Sequence, residues 1–218
     1  GLGSVIIGKK VLIGDNTKIG FMSVIRGKEI ELKRFIKIGS MVFIDTEKVF
    51  IDDDARINEN VIVAGIKYPD SLFSLGKRTI IMEYSYINPT KPVMIGDDSG
   101  IGGHCLLFTH GSWLPQIDGF PVTFAPITLG KRVWLPWRVF IMPGVSIGDN
   151  VVIGANSLVA KSLPSNCLAA GSPASVLKEN YPPLLSEEKR NTIIDNIFND
   201  FVNHLKHNSF NTDLIRKT

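Results

Sequence analysis

Cysteine and histidine are scarce in this chain of 218 residues, which has two of the first and four of the second. Cys105 and Cys167 cannot build a disulfide framework or a cysteine-rich metal centre. Both stand inside repetitive apolar sequence, where they read as buried thiols in a reducing, cytoplasmic compartment. Long apolar runs are also missing. None approaches the roughly 18 residues a membrane helix needs, so no membrane insertion is expected. Charge bias is weak, with 24 Lys and Arg scattered among 21 Asp and Glu for a net charge of +3. That excess is too small to predict a nucleic-acid partner, though it suits a polyanionic small molecule.

What replaces these features is a metre of six. The run LGKRVWLPWRVFIMPGVSIGDNVVIGANSLVAKSLP, residues 129–164, carries aliphatic anchors at Leu129, Leu135, Ile141, Ile147, Ile153 and Val159. A second position, mostly small and apolar, follows each anchor by four: Val133, Val139, Val145, Val151, Ser157 and Leu163. An earlier copy starts at Ile7 with IGKKVLIGDNTKIGFMSV, and further registers anchor at Ile38 and Ile44, at Ile51, Ile57 and Val63, and at Ile95, Ile101 and Leu107. Each change of register implies a short insertion. A period of six fits neither a helix nor a half-buried strand over such a length, but it fits a solenoid with three flat faces. Each hexapeptide then supplies a short strand and a corner, with the anchor inward and Gly, Asn or Asp at the turn. About 18 residues close one coil, and stacked coils bury a continuous aliphatic column.

Two stretches break the metre. Residues 66–92, including KYPDSLFSLGKRTIIMEYSY, predict an irregular or protruding insertion. Residues 111–126, within LLFTHGSWLPQIDGFPVTFAPITLG, predict a loop that begins where His110 ends the coil anchored at Leu107. This loop is too aromatic for a simple turn, and a solenoid's function resides in such excursions. Histidine suits a general base there because its pKa near 6.5 lets it accept and return a proton at neutral pH. Trp113, Gln116, Asp118 and Phe120 on the loop are candidate substrate-binding residues, since aromatic faces and hydrogen-bonding groups together suit a sugar ring. After residue 178 the style changes. Residues 179–218 predict a tail with an amphipathic helix over 186–207, capped by Ser186 and striped by Ile193, Ile194, Ile197, Phe198, Phe201, Val202 and Leu205. That helix is expected to dock on the coils or on a neighbouring subunit.

These motifs resemble the hexapeptide-repeat acyltransferase superfamily over most of residues 7–178. Within it they are most similar to the maltose, galactoside and xenobiotic O-acetyltransferases. The resemblance implies an all-β solenoid, a left-handed parallel β-helix over residues 1–178, and a homotrimer with sites between adjacent solenoids. It rests on THGSW, then a loop, then LGKRVWLPWRVFIMPGVSIGDN, and on IGDNVVIGANSLVAKSLPSNCLAAGSPASVLK. On that pattern His110 takes the catalytic position. Acetyl-CoA would be the donor, with Trp134 beside its pantetheine arm, main-chain groups at Ala155 and Ala160 on its amides, and Lys161 and Lys178 toward its phosphates. Asn88 matches an asparagine near the histidine and the coenzyme. Two positions depart from the family: Trp137 stands where a serine often faces the thioester, and Ser175 where a basic residue is common. The implied activity is transfer of acetyl to a hydroxyl of a sugar or glycan precursor, with His110 as general base.

Other readings remain open at this point. N-acetylation of a nucleotide-linked amino sugar uses the same machinery. A zinc-dependent carbonic anhydrase of the same fold would take His104 and His110 from HCLLFTH, but it needs three protein ligands and His204 and His207 lie in the tail. No metal site is therefore expected, and His104 reads as an outward turn residue. A non-catalytic scaffold is the remaining alternative.

Overall fold

In the computed structural model, residues 1–111 and 114–212 are described. Gly1–Pro182 form one compact unit and Pro183–Thr218 a second. The first is a parallel β-solenoid of three sheets, with eight, seven and nine strands. Successive coils stack in register: Val24–Arg26 on Val5–Ile7 on the first face, Glu29–Leu32 on Lys10–Ile13 on the second, and Lys37–Ile38 on Lys18–Ile19 on the third. The third sheet ends with Cys167–Gly171 and its antiparallel partner Ala174–Glu179.

The core follows from the pleat. Each strand turns its anchor and the residue two before it inward, so one coil buries Val42 with Ile44, Val49 with Ile51, and Ala55 with Ile57, all at 1% exposure or less. Burying one such Val or Ile side chain contributes about 1.5–3 kcal/mol, and here the contribution repeats coil after coil. Where the paired position is polar, its hydroxyl is spent on the backbone. Ser85 donates to the Gly102 carbonyl at 2.8 Å and Thr79 to that of Gly96 at 3.0 Å.

The insertions are confined to one corner. Between the first and second faces, one extra residue separates Ile25 from Leu32 and Ile44 from Ile51, while longer segments separate Val63 from Leu75 and Leu107 from Leu129. The other two corners hold the metre. At the second corner Phe35, Asp54, Arg78, Asp98 and Arg132 have positive φ, and at the third Met41, Asn60, Tyr84, His104 and Arg138 do. Three of these ten are the Asn or Asp expected at turns, a pattern that Asn16, Asn150, Asn156 and Asn166 keep on other coils, and the rest are not. The left-handed conformation is imposed by the stack: each of the ten N–H groups donates to a carbonyl of the preceding coil, as Met41 does to Phe21 at 2.8 Å and His104 to Glu83 at 3.1 Å.

Three expectations change in detail. In the first coil Ile6, not Ile7, lies in register with the buried Ile25, and Ile7 pairs outside with Arg26. The extra corner residue displaces the anchor by one. Most of residues 66–92 is regular coil, with strands Leu72–Leu75, Ile80–Ile81, Tyr86–Asn88 and Val93–Ile95. Its anchors Leu75, Ile81 and Ile87 keep the spacing of six, but only Leu75 is followed by glycine. Residues 111–126 hold a hairpin, His110–Gly111 pairing antiparallel with Thr123–Phe124, and a 3-10 turn at Gln116–Asp118.

The second unit contains the helix Glu187–His207. Ser186 accepts from the Lys189 N–H at 3.3 Å, and Glu187 and Glu188 face the positive helix end. Ile193, Ile194, Ile197 and Phe201 are exposed on it. Among the described residues, no helix is long and apolar enough to cross a membrane.

Two tests address this core. Replacing Ile87, fully buried, by Ala should cost about 2–5 kcal/mol in a denaturant titration, since the rigid stack cannot close the cavity. Cys105 is fully buried, its thiol donates to the Pro136 carbonyl at 3.0 Å, and burial pushes its pKa up to about 11. Folding therefore favours the neutral thiol. The contribution is complete below the unfolded pKa and is lost as pH rises from about 9 toward 11. Comparing the native protein with Cys105→Val should reveal a steeper loss in the native protein, since the buried Cys167, whose pKa is also raised, remains in both.

Candidate active site

The first corner gathers what the metre excludes. His110 leaves the coil at the end of a first-face strand and opens the hairpin, where it pairs with Phe124. The Ala125 N–H donates to the Thr109 carbonyl at 2.9 Å and closes the hairpin base onto the coil. The imidazole stacks on the Phe124 ring, centroids 5.8 Å apart and planes at 16°, with Phe108 at 6.4 Å. Its Nδ1 is buried without a hydrogen-bond partner among the described residues. The ring is thus held by two aromatic neighbours rather than by a carboxylate.

A second insertion packs beneath the hairpin. Tyr68 meets Phe124 edge-on at 6.0 Å, and Lys91 lies 5.0 Å over the Tyr68 ring while pairing with Asp70 at 2.9 Å. Ser71 ties this segment down, donating to the Thr90 carbonyl at 2.8 Å and accepting from the Tyr68 N–H at 2.8 Å. Asn88 lies in the same network, 4% exposed, its Oδ1 accepting from the Thr90 hydroxyl at 2.7 Å and the Thr90 N–H at 3.1 Å. A Cβ at Gly65 would stand 2.6 Å from the Thr90 hydroxyl, so only glycine lets the insertion lie this close. Phe124, Tyr68, Lys91 and Thr90 are absent from the residues singled out in the sequence. The available signal was the anchor spacing: Val63 to Leu75 and Leu107 to Leu129 both lengthen one corner, which brings the two insertions together.

The predicted donor residues divide between two places. Ala160 and Lys161 follow a first-face strand and share the corner of His110, two coils further on; both are exposed. Trp134 lies on the outer surface of the third face over Gly100, where a Cβ would stand 2.5 Å from its ring. Lys178 is on that same column, reached through Val152 and Leu168. Ala155 and Trp137 are at the third corner. There Trp137 covers Gly103 and joins a stack with His104 at 5.7 Å and Tyr84 beyond it at 5.2 Å. No single copy of the chain therefore unites His110 with Trp134 and Trp137.

Of the predicted loop residues, Gln116 and Asp118 form the exposed 3-10 turn and Phe120 is 43% exposed at the hairpin tip. Trp113 lies outside the described residues. His104 and His110 stand at different corners, and among the described residues no group of three His, Cys, Asp or Glu is placed to hold a metal.

Residues 126–161 match the family model described as bacterial transferase hexapeptide, six repeats. The chain is 37% identical over 128 residues to the putative colanic acid biosynthesis acetyltransferase WcaF of Escherichia coli K12, covering 57% of this chain and 69% of that protein. It is 56% identical over 135 residues to the galactoside O-acetyltransferase of the same bacterium, covering 57% and 64%. Two solved structures share the fold. The polySia specific acetyltransferase NeuO aligns with a TM-score of 0.56 at 23% identity, covering 85% of this chain and 91% of that one. AntD, an N-acyltransferase from Bacillus cereus, aligns with 0.51 at 20%, covering 84% and 92%. This common architecture is the left-handed parallel β-helix, and with the sequence matches it places the chain in the hexapeptide-repeat acyltransferase family.

Proposed function

We propose that the chain is an acetyl-CoA-dependent O-acetyltransferase that acetylates a hydroxyl of a sugar or glycan precursor. The observation that carries this reading is the division of the site. A general base stands on the first corner, and the aromatic and basic groups suited to the donor stand on the third face and third corner. A homotrimer brings these together, setting the first corner of one solenoid against the third face of the next and repeating the site three times. The hydroxyl acceptor is favoured over an amine because the relative named for its acceptor and matched in sequence, the galactoside enzyme, is an O-acetyltransferase.

Each residue then has a task. His110 takes the proton from the acceptor hydroxyl, and Nε2 is assigned that transfer because Nδ1 is the buried nitrogen. The oxygen attacks the thioester carbonyl carbon, the carbon–sulfur bond breaks, and the imidazolium returns the proton to the departing thiolate. Phe124 and Phe108 fix the ring plane. Trp137 replaces a serine near the thioester, and its backbone N–H, which donates to no acceptor among the described residues, is available to the oxyanion. Trp134 would lie along the pantetheine arm, and Lys161 and Lys178 would meet the phosphates as point charges. Gln116, Asp118 and Phe120 extend toward the acceptor, and Asn88 supports the wall on which His110 rests.

Two measurements test these assignments. His110→Ala should lower thiol release from acetyl-CoA with a panel of sugars by about 10²–10⁴-fold while leaving donor binding by calorimetry unchanged. An undiminished rate removes His110 from the mechanism. Gly100→Ala pushes a methyl into the space held by the Trp134 ring. The donor Kd should rise about tenfold, the equivalent of about 1–2 kcal/mol of overpacking. An unchanged Kd would take Trp134 out of the donor site.

A further inference from the structure

Charges on the outer faces are arranged in columns, and most of them alternate in sign or meet an opposite charge. On the second face Lys10, Glu29 and Lys48 follow one another in register. On the first face Arg26 pairs with Asp45 at 2.6 Å, and at the second corner Arg34 pairs with Asp53 at 3.2 Å and Arg78 with Asp98 at 2.6 Å. The third face breaks this rule. Lys18, Lys37 and Arg56 stand directly above one another in the ladder, all exposed, and none has a carboxylate within 4.0 Å among the described residues. Like charges opposite one another in a sheet repel. Three in succession are a standing cost that an external anion would relieve.

They line a shallow groove of about 360 Å³, together with Ser40, Asn58 and Glu59. Glu59 is the carboxylate that borders it, and Asp54 borders the adjoining groove beside Arg56 and Arg78. The nearby Glu83 accepts from Asn58 at 3.2 Å. Three cations against the one carboxylate lining the groove leave it positive.

The position of the column gives it a meaning. The same register continues from Arg56 through Ile80 and Gly100 to Trp134, then on to Val152, Leu168 and Lys178. The donor assigned above runs from Trp134 toward Lys178. The three cations lie the other way, on the side of Trp134 opposite Lys178. At about 4.8 Å per strand, Arg56 is about 14 Å and Lys18 about 24 Å from Trp134, beyond the reach of a single sugar ring in the cleft. We infer that this column is a track for an extended anionic glycan, an acidic polysaccharide chain whose far residues are held by Lys18, Lys37 and Arg56 while a near hydroxyl enters the cleft. The inference rests on the donor and acceptor reading above. A neutral acceptor would give the ladder no partner, and a patch of three cations in a chain of net charge +3 is small for a nucleic-acid backbone.

The test uses the full chain and three probes: oligogalacturonate of about ten residues, dextran of similar length and a short DNA duplex. Oligogalacturonate should bind with a Kd that weakens steeply with salt, and dextran should not bind. The triple variant Lys18→Gln, Lys37→Gln, Arg56→Gln should weaken oligogalacturonate binding at least tenfold. Its acetyl-CoA Kd and its oligomeric mass in sedimentation should match the native protein, and its Tm should not fall, since only repulsion is removed. No binding at millimolar uronate, equal binding of dextran, tighter binding of DNA, or undiminished binding by the variant overturns the track. So does a fall in oligomeric mass, which would assign the ladder to a subunit contact. Failure here with intact acetyl-CoA binding removes the track alone, whereas uronate binding without acetyl-CoA binding removes the enzyme reading.

Discussion

Everything in the solenoid depends on the coil-to-coil hydrogen bond at the two tight corners. There an N–H from one coil meets a carbonyl of the coil before it, as between Asp54 and Arg34 at 3.0 Å or Arg138 and Gly103 at 3.0 Å. The bond holds the donor residue at positive φ, even when it is a phenylalanine, methionine or arginine. A residue added at either corner would break the column of such bonds above and below it. Added residues are found at the corner between the first and second faces, where coil-to-coil bonds such as that from Gly27 to Ile7 at 3.0 Å hold no non-glycine residue at positive φ among the described residues. Backbone geometry thus decides where function can be placed before any functional side chain is considered.

That confinement turns separate insertions into neighbours. The segment after Val63 and the hairpin after Leu107 lie far apart in sequence, yet Tyr68 meets Phe124 and Phe124 meets His110. The histidine gains a wall built from an earlier coil, and its orientation is set by stacking. The groups suited to an acyl donor lie mainly on the third face, which stays flat because its corners stay tight. On the proposed reading, a solenoid with its base and its donor surface on different sides needs a second copy to complete a site, which would make assembly and activity one requirement.

The sequence made the repeat legible because inward positions must be aliphatic at fixed intervals, so Leu129 to Val159 could be read anchor by anchor. It also marked His110, since the break in the metre falls beside it. The handedness came from the family resemblance, because a period of six is silent on chirality. The register of the first coil was obscured by the extra residue between Ile6 and Ile13, and the coil around Ile81 by the near absence of glycine after its anchors. The aromatic support of His110 was hidden for a different reason: Tyr68, Lys91 and Phe124 come from three connections, and their meeting depends on stacking rather than on local pattern. The cation column shows the same limit, since Lys18, Lys37 and Arg56 become neighbours only when the coils are counted.

The central claim is that His110 of one protomer works with Trp134 of the next, and subunit mixing tests it most directly. His110→Ala and Trp134→Ala proteins are each purified, then unfolded together and refolded at equal concentration, and thiol release from acetyl-CoA is measured with an acceptor the native enzyme uses. Random mixing gives about one quarter of the interfaces an intact histidine facing an intact tryptophan. The account predicts recovery to about that fraction of native activity from two nearly inactive parents. Activity no higher than the mean of the parents, from mixed oligomers verified by mass, would place both residues in one subunit's site and contradict it.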